Sequence, residues 1–370
     1  MQRIISWTFI ALAVCSTLIL PCINLLAGGV SVSDLLSKPE LLFRADVVAT
    51  QVSNKISPYG FSIDPGQAII GYDDWLFLGN DYSATLATKR RPLANRDIQQ
   101  NRKLIRLLLD IKSELSRSGI RGFKIIVGHD KNSIYPELLP RWVSPVDINA
   151  IDDLFSRDGG RVFVDTRSNL RKQKLEQPYL LYYREGTHWN LLGASLAFRN
   201  FVEAVSPELN EVHWPAESKY EVVGADASDS DIGLTRFLRL TPKGQDQYAH
   251  LAIENDESVT TLSNAETYEP VEMKAPKQVD TESSGPILLA RTSGALNEKR
   301  VLIVTDSFGK ALSPFFVTTF SEVIFVHRGQ ALKNLHNFGR LIEKWKPDHV
   351  FLVFVERDIR GTLLYLDRGG

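Results

Sequence analysis

A serine stands at a turn between a predicted strand and a predicted helix. Ser307 lies in Asp306-Ser307-Phe308-Gly309, which follows a run of apolar and β-branched residues at 300–304. A serine at such a turn exposes its hydroxyl, and the amide groups that begin the next helix can stabilise an oxyanion. The pattern favours Ser307 as a nucleophile, while the motif alone also allows a helix cap made by Asp306 and Ser307.

A histidine occupies a second junction, between a loop and a predicted helix. His188 lies in Gly186-Thr187-His188-Trp189-Asn190, directly before Leu191-Leu192-Gly193-Ala194. A histidine held there by a flanking tryptophan can act as general base for a serine, although a lone histidine is more often structural. Taken together, Ser307 and His188 predict nucleophilic acyl chemistry.

Alternating strand and helix patterns must position these two side chains. Helical periodicity covers residues 96–118, 190–205 and 329–345, between apolar runs that each end in a polar cluster. This alternation predicts an α/β fold with a doubly wound parallel sheet, whose ligands bind at the carboxyl ends of the strands. The predicted strands are residues 123–127, 161–164, 300–304, 322–326 and 349–355.

One stretch departs from this alternation. Residues 222–296 carry acidic side chains among Ser, Thr, Gly and Pro, with few apolar runs. We expect a polar insertion or small subdomain there. The sequence thus predicts one elaborated domain over residues 71–370, preceded by a juxtamembrane segment at 31–70.

The amino-terminal residues predict a membrane-spanning or signal segment. No charged residue occurs from Ile4 to Val30, and Arg3 precedes this run. About 20 apolar residues suffice to cross a bilayer. We expect residues 1–30 to form an uncleaved signal anchor, with a cleaved signal peptide as the alternative, because no clean Ala-x-Ala cleavage site follows. The body of the protein then lies on the far side of the membrane.

Composition excludes several classes of function. The formal net charge is −1 and no basic block occurs, so no nucleic-acid partner is expected. Both cysteines, Cys15 and Cys22, lie within the first thirty residues, which excludes a disulfide, a zinc knuckle or a cysteine nucleophile in the body. Nucleotide-binding and zinc-protease motifs do not occur, so we expect no cofactor and no metal.

Five segments in order resemble the alginate O-acetyltransferase family, which comprises periplasmic, SGNH-hydrolase-like proteins that acetylate bacterial exopolysaccharides. The histidine precedes the serine, as in the circularly permuted arrangement of this family. The resemblance spans residues 71–357. Its segments are Gly71-Tyr72-Asp73-Asp74-Trp75-Leu76-Phe77, Lys131-Asn132-Ser133-Ile134-Tyr135-Pro136, Thr187-His188-Trp189-Asn190 with Gly193-Ala194, Asp306-Ser307-Phe308-Gly309, and Val355-Glu356-Arg357.

The resemblance implies that Ser307 carries the acetyl group and that His188 is its base. It also implies an acid two residues before the histidine, where this sequence has Gly186. Glu185 is the nearest carboxylate and our candidate for the third member. The alternatives are another carboxylate such as Asp165, a backbone carbonyl that orients the ring, or a protein that has lost activity.

Three further residues are candidates for substrate binding. Arg328 follows a predicted strand and could bind the acyl oxygen or a polymer carboxylate, with a surface arginine as the alternative. Lys131 and Tyr135 match the family motif, although Tyr135-Pro136 could simply shape a turn.

The function that follows is an O-acetyltransferase acting on an exopolysaccharide such as alginate. Its expected partners are a polysaccharide acceptor, a membrane-bound O-acyltransferase as acetyl donor, and the inner membrane through the N-terminal helix, which places the protein in the periplasm. A carbohydrate esterase, or a noncatalytic membrane-tethered member of a polysaccharide-modifying complex, remains as an alternative. An α/β-hydrolase elbow is disfavoured because its Asp and His would both follow Ser307, where Asp348 and His349 are adjacent.

Overall fold

The structure is a computed structural model that describes residues 17–26, 37–216, 220–226, 231–244, 246–253, 258–273, 277–281 and 283–366. Most of the predicted membrane helix at residues 1–30 lies outside the described residues, and the part inside them, residues 17–26, is helical. Across the described ranges, no helix combines the length and apolar character that a bilayer crossing needs.

Strands and helices alternate along most of the chain. The strands are β1 Ala68–Ile70, β2 Leu76–Leu78, β3 Gly122–Gly128, β4 Phe163–Val164, β5 Tyr220–Asp226, β6 Tyr248–Ile253, β7 Val259–Asn264, β8 Leu288–Ser293, β9 Asn297–Thr305, β10 Phe320–His327 and β11 His349–Val355. The α-helices are α1 Asp46–Ile56, α2 Thr85–Arg90, α3 Asn95–Arg117, α4 Lys131–Ile134, α5 Ala150–Asp158, α6 Arg167–Glu176, α7 Leu191–Val205, α8 Gly233–Leu238, α9 Gly309–Thr319, α10 Arg328–Ala331, α11 Leu335–Trp345 and α12 Glu356–Leu366.

The central sheet is mixed, which corrects the expectation of a wholly parallel sheet. Its order within the described residues is β4-β3-β11-β9-β10-β8-β7, and the first five strands are parallel. The last two, β8 and β7, run antiparallel to their neighbours. Only residues 294–296 separate β8 from β9. Because a parallel connection needs a dozen residues or more, a link this short makes β8 run opposite to β9.

Both faces of the sheet are covered by helices, as a doubly wound fold requires. Along β9, Val301 and Ile303 enter one core with α7 and α9, whereas Leu302 and Val304 enter a second core with α3, α5 and α11. Alternate side chains of a strand point to opposite faces, so a strand with helices on both sides reads as a continuous apolar run. The five predicted strands therefore correspond to β3, β4, β9, β10 and β11.

The predicted helices are mostly reproduced. The patterns at 96–118 and 190–205 correspond to α3 and α7 within about a residue at each end. The pattern at 329–345 forms two helices, α10 and α11, because the Asn334 side chain accepts a hydrogen bond from Asn337 N and caps a new helix.

The stretch predicted to be an insertion is divided between two places. Strands β7 and β8 belong to the central sheet, whereas β5, β6 and α8 lie outside it. Helix α8 packs through Leu234 and Leu238 on the β1-β2 hairpin. Helix α1, from the predicted juxtamembrane segment, contacts the same unit, because Ser53 Oγ donates to the carbonyl of Leu238.

Candidate active site

Ser307 lies at the carboxyl end of β9, on the turn into α9, and its hydroxyl meets the ring of His188. The distance from His188 Nε2 to Ser307 Oγ is 2.9 Å, which is direct hydrogen-bond range. The preceding residue shapes this turn, since Asp306 accepts hydrogen bonds from Phe308 N at 3.0 Å and from Val355 N at 2.8 Å. The turn is thereby tied to the neighbouring strand β11.

The segment that carries His188 is fixed on both sides. Trp189 is buried and donates from Nε1 to the carbonyl of Phe308 at 3.0 Å, which joins the histidine and serine segments directly. Asn190 caps α7 by accepting from Gly193 N at 3.0 Å. The flanking tryptophan thus has the positioning role expected of it, and the His188 ring packs 5.2 Å from the Phe308 ring.

A third side chain completes a hydrogen-bonded chain of groups. Asp231 Oδ2 lies 3.0 Å from His188 Nδ1 and accepts from Thr187 N at 3.2 Å, while its Oδ1 accepts from Gly233 N at 2.9 Å. Burial alone would raise the pKa of the Asp231 carboxyl, but the His188 ring and the two amides lower it below its usual value. The group is therefore an ionised carboxylate that can orient and stabilise the ring.

Asp231, not Glu185, lies against the histidine ring. The Glu185 carboxylate instead accepts a hydrogen bond from Lys243 N at 2.8 Å. Asp165, the alternative carboxylate for His188, is instead paired with His129 Nε2 at 2.7 Å. The physical reason is local: one residue of displacement along an irregular loop turns the Glu185 side chain away from His188, and the space beside the ring is filled by a residue from a different loop.

Sequence reasoning missed Asp231 because it is 43 positions from its partner. The acidic character of the stretch around it was visible, but no spacing rule connects that stretch to a histidine before α7. A faint signal existed in Asp231-Ile232-Gly233 before a short helix, since an aspartate often accepts from amides near a helix start.

The residues predicted to bind substrate occupy other places. Arg328 donates to Asp358 at 2.5 Å and to Thr362, and its Nε lies 3.9 Å from Asp306 Oδ2. Its guanidinium is thus held against α12 and close to the Asp306 carboxylate.

Lys131 and Tyr135 are buried and use their polar atoms on the protein backbone. The Tyr135 hydroxyl accepts from Leu181 N at 3.1 Å, and burial raises its pKa to about 12. The Lys131 ammonium donates to three carbonyl oxygens. Direct substrate contact by either residue, which the sequence suggested, is therefore corrected to an interior role.

An open cavity of about 330 Å³ lies above the hydroxyl of Ser307. Its walls include Tyr183, Gln278 and the ion pair of Lys310 with Asp280, in which Nζ and Oδ2 are 3.3 Å apart. Among the described residues, no cluster of three or more potential metal ligands occurs. The arrangement can bind an acyl group beside a serine that has a base within reach.

Comparison with known families identifies the chain. A family described as "SGNH hydrolase-like domain, acetyltransferase AlgX" matches residues 68–280, more than half of the sequence. The chain belongs to this ALGX family. The resemblance inferred from the sequence motifs is thereby confirmed. The matched range contains His188 and Asp231 and ends before Ser307, so the family assignment does not depend on the serine turn. No curated protein matches the chain in sequence.

Solved structures share the fold of this ALGX-family chain. A DHHW family protein from Eubacterium siraeum superposes with a TM-score of 0.55 at 15% identity, covering 84% of this chain and 97% of that one. PatB1 from Bacillus cereus with a sulfonyl adduct gives 0.54 at 14% identity, covering 80% and 99%. The O-acetyltransferase domain of Pseudomonas putida AlgJ gives 0.47 at 17% identity, covering 79% and 92%. At these identities the first two likenesses concern the fold alone. The third has a TM-score below 0.5 and supports no conclusion about this chain.

Proposed function

We propose that the protein is an O-acetyltransferase that moves an acetyl group through Ser307 to a hydroxyl of a bacterial exopolysaccharide such as alginate. One observation carries the proposal: a continuous hydrogen-bonded chain from Ser307 Oγ through His188 to Asp231 lies at the floor of an open cavity. Membership in a family of SGNH-like acetyltransferases supports the same reaction class.

The first half of the reaction loads the serine. As Ser307 Oγ attacks the donor's acyl carbon, His188 Nε2 takes the hydroxyl proton, and the carbonyl π electrons move to the oxygen. Collapse of this tetrahedral intermediate breaks the bond to the donor oxygen, which receives the proton from His188. The product is acetyl-Ser307 and the free donor alcohol.

The second half transfers the acetyl group to the acceptor. His188 takes the proton of a sugar hydroxyl as that oxygen attacks the acetyl carbon, and then returns the proton to Ser307 Oγ as the serine leaves. Asp231 holds the Nδ1 side of the ring and stabilises the imidazolium that forms in each half. No cofactor takes part in this sequence of steps.

Two backbone amides of the nucleophile turn already donate hydrogen bonds within the turn. The N–H of Phe308 donates to the Asp306 carboxylate at 3.0 Å, and the N–H of Gly309 donates to the Asp306 carbonyl at 3.0 Å. We assign the oxyanion to the N–H of Ser307 itself, for which the described residues supply no acceptor. A preorganised backbone donor of this kind stabilises the tetrahedral intermediate at little reorganisation cost.

The proposed setting is the periplasm, with the chain attached to the inner membrane by its N-terminal segment. The uncharged run from Ile4 to Val30 after Arg3 supports this placement. A membrane-bound O-acyltransferase is the proposed acetyl donor, because the acetyl group must cross or leave the membrane before it reaches a periplasmic serine.

A carbohydrate esterase is the second candidate function. The side chains of His188 and Asp231 remain 32% and 28% exposed, so water can approach the same base that would activate a sugar hydroxyl. Whether the acetyl group passes to water or to a sugar hydroxyl depends on how well a bound sugar excludes water. The noncatalytic alternative drew its main support from Gly186, and Asp231 removes that support by supplying a carboxylate to the ring.

The test uses the full-length chain and 4-nitrophenyl acetate, with and without an alginate oligosaccharide. A transferase gives O-acetylated oligosaccharide, an esterase gives only free acetate, and a noncatalytic protein gives neither. Ser307→Ala should abolish the release of 4-nitrophenol. Ser321→Ala serves as the matched control, since the Ser321 hydroxyl bonds to the carbonyl of Lys299 in the sheet. Equal activity in Ser307→Ala and the native chain would overturn the assignment.

A further inference from the structure

The first residue of α4 has a buried ammonium group that the mechanism above does not use. Lys131 is only 4% exposed. Its Nζ donates to the carbonyl oxygens of Tyr183 at 2.8 Å, Arg184 at 2.9 Å and Gly186 at 2.5 Å. An ammonium has three N–H donors, so all three donate to carbonyl groups in one short stretch of backbone.

That stretch leads directly to the catalytic base. Residues 183–186 form the loop before Thr187 and His188, and the loop is closed by a hydrogen bond from Tyr183 N to the carbonyl of His188 at 3.2 Å. Carbonyl groups that converge at one buried point need a donor there, since an unsatisfied buried carbonyl is costly. The shape of the loop therefore depends on the N–H donors that Lys131 supplies at its centre.

Two aromatic rings also face the ammonium. The rings of Trp75 and Phe77 each lie 5.4 Å from Nζ. Aromatic faces at this range attract a desolvated cation. This accounts for two segments of the family resemblance that lie outside the serine and histidine motifs, because the segment at 71–77 supplies the rings and the segment at 131–136 supplies the lysine.

We propose that Lys131 is a positioning residue, which holds the loop at 183–186 and thereby keeps His188 aligned with Ser307. The inference rests on the proposed function of that pair. Lys131 does not line the cavity above Ser307, so its action passes through the loop and not through the substrate. A displacement of about 1 Å at a catalytic group can cost on the order of 100-fold in rate.

A second buried lysine provides a matched control. Lys124, in β3, donates to the carbonyls of Gly160 at 2.9 Å and Arg161 at 3.2 Å and pairs with Glu208 at 2.8 Å. It holds the backbone before β4 in the way that Lys131 holds the loop before His188. Lys124→Met should therefore destabilise the fold without changing the alignment of His188.

The experiment measures the reaction of Ser307 with phenylmethanesulfonyl fluoride, together with kcat and KM for 4-nitrophenyl acetate, in the full-length chain. All rates are normalised to the folded fraction found by urea unfolding. We expect Lys131→Met to slow sulfonylation and to lower kcat by about 10- to 100-fold, with KM changed by less than about twofold. Lys124→Met should lower the free energy of unfolding and leave both rates within about twofold of the native chain.

Lys131→Arg keeps the positive charge and should recover part of the lost rate. If Lys131→Met does not fold, Lys131→Arg is compared with Lys131→Gln, which lacks the charge. Equal rates in these two variants would contradict a requirement for the cation. Sulfonylation of Lys131→Met at the native rate overturns the inference. Absence of sulfonylation at Ser307 in the native chain would instead overturn the proposed function, so the two failures are distinguishable.

Discussion

The carboxylate of Asp231 occupies the space in which a side chain at Gly186 would begin. A Cβ atom placed on Gly186 would lie 2.3 Å from Asp231 Oδ2 and 2.6 Å from Asp231 Cβ. Real atoms do not approach this closely, so the two positions cannot both carry a side chain there. The family resemblance implies an acid at 186, and in this chain the carboxylate beside the ring comes from residue 231.

This contact explains how the His188 ring has a carboxylate beside it although residue 186 is a glycine. An acid two residues before the histidine would come from the same loop as the ring. Asp231 instead comes from the segment before α8, which is attached to the histidine loop by a hydrogen bond from Leu234 N to the carbonyl of Glu185 at 3.0 Å. The orienting group thus depends on how a separate unit packs beside the sheet.

Replacement of the carboxylate should cost activity without unfolding the chain. In Asp231→Asn, the amide can favour the wrong tautomer of His188 and no longer stabilises the imidazolium, so we expect kcat for 4-nitrophenyl acetate to fall by about 10²- to 10⁴-fold. Asp226→Asn is the control, because Asp226 pairs with His250 at 3.0 Å in the β5-β6 hairpin and does not line the cavity beside Ser307. Comparable losses in both variants would contradict the assignment.

Moving the acid to position 186 should restore activity. Asp231→Gly removes both the carboxylate and the obstruction, and adding Gly186→Asp places a carboxylate at the position that the family resemblance implies. We expect the double variant to be at least ~10-fold more active than Asp231→Gly alone, and Gly186→Asp alone to be impaired by the clash with Asp231. A folded double variant that is no more active than Asp231→Gly would show that the two positions are not equivalent.

Gly128 should be required for the position of the nucleophile turn. A Cβ atom at this residue would lie 2.4 Å from Cδ1 of Phe308, the neighbour of Ser307. We expect Gly128→Ala to push that ring aside and to lower kcat by about 10-fold or more, with a loss of unfolding free energy of about 1–3 kcal/mol. Gly339→Ala, in α11 with no atom within 4 Å of the added Cβ, should leave activity unchanged. Urea unfolding and 4-nitrophenol release measure both effects.

Stability should depend on pH through Lys131. Burial lowers the pKa of its ammonium to about 7, with Arg184 contributing and Asp231, Glu185 and Asp246 opposing. An unfolded lysine titrates near ~10.4, so between these pH values the unfolded chain holds more protons at this site and stability rises with pH. From pH 7 to 10, the unfolding free energy of the native chain should increase relative to Lys131→Met by on the order of a few kcal/mol.

The rate of sulfonylation of Ser307 should fall over the pH range in which the unfolding free energy rises. A neutral amine retains two N–H donors for three carbonyl groups, so the loop before His188 loses one of its contacts. We expect the native rate to fall relative to that of Lys131→Met as the pH rises past about 7. A constant ratio of the two rates, together with a constant difference in unfolding free energy, would contradict a titrating Lys131.

The strands and the two main catalytic candidates could be predicted because their signals are local. A strand buried on both faces reads as a short apolar run, and Ser307 and His188 each stand where such an element meets a helix. The Trp189 indole that joins their segments was also recognisable as a flanking residue. The antiparallel β7 and β8 were not predicted, because polar residues make up at least half of each strand and the sequences resemble those of an insertion.

The sequence by itself determined the α/β alternation, the serine and histidine pair, the order of the two and the absence of an acid at 186. Only the tertiary structure decided that the Asp231 carboxylate lies beside His188, that Glu185 bonds to Lys243 N, and that Lys131 and Tyr135 are buried with their polar atoms bonded to the backbone. The physical reason is that strand and helix propensity depend on neighbours in the chain, whereas a hydrogen bond depends on distance in space. A carboxylate 43 residues away can therefore reach the ring, while the adjacent one does not.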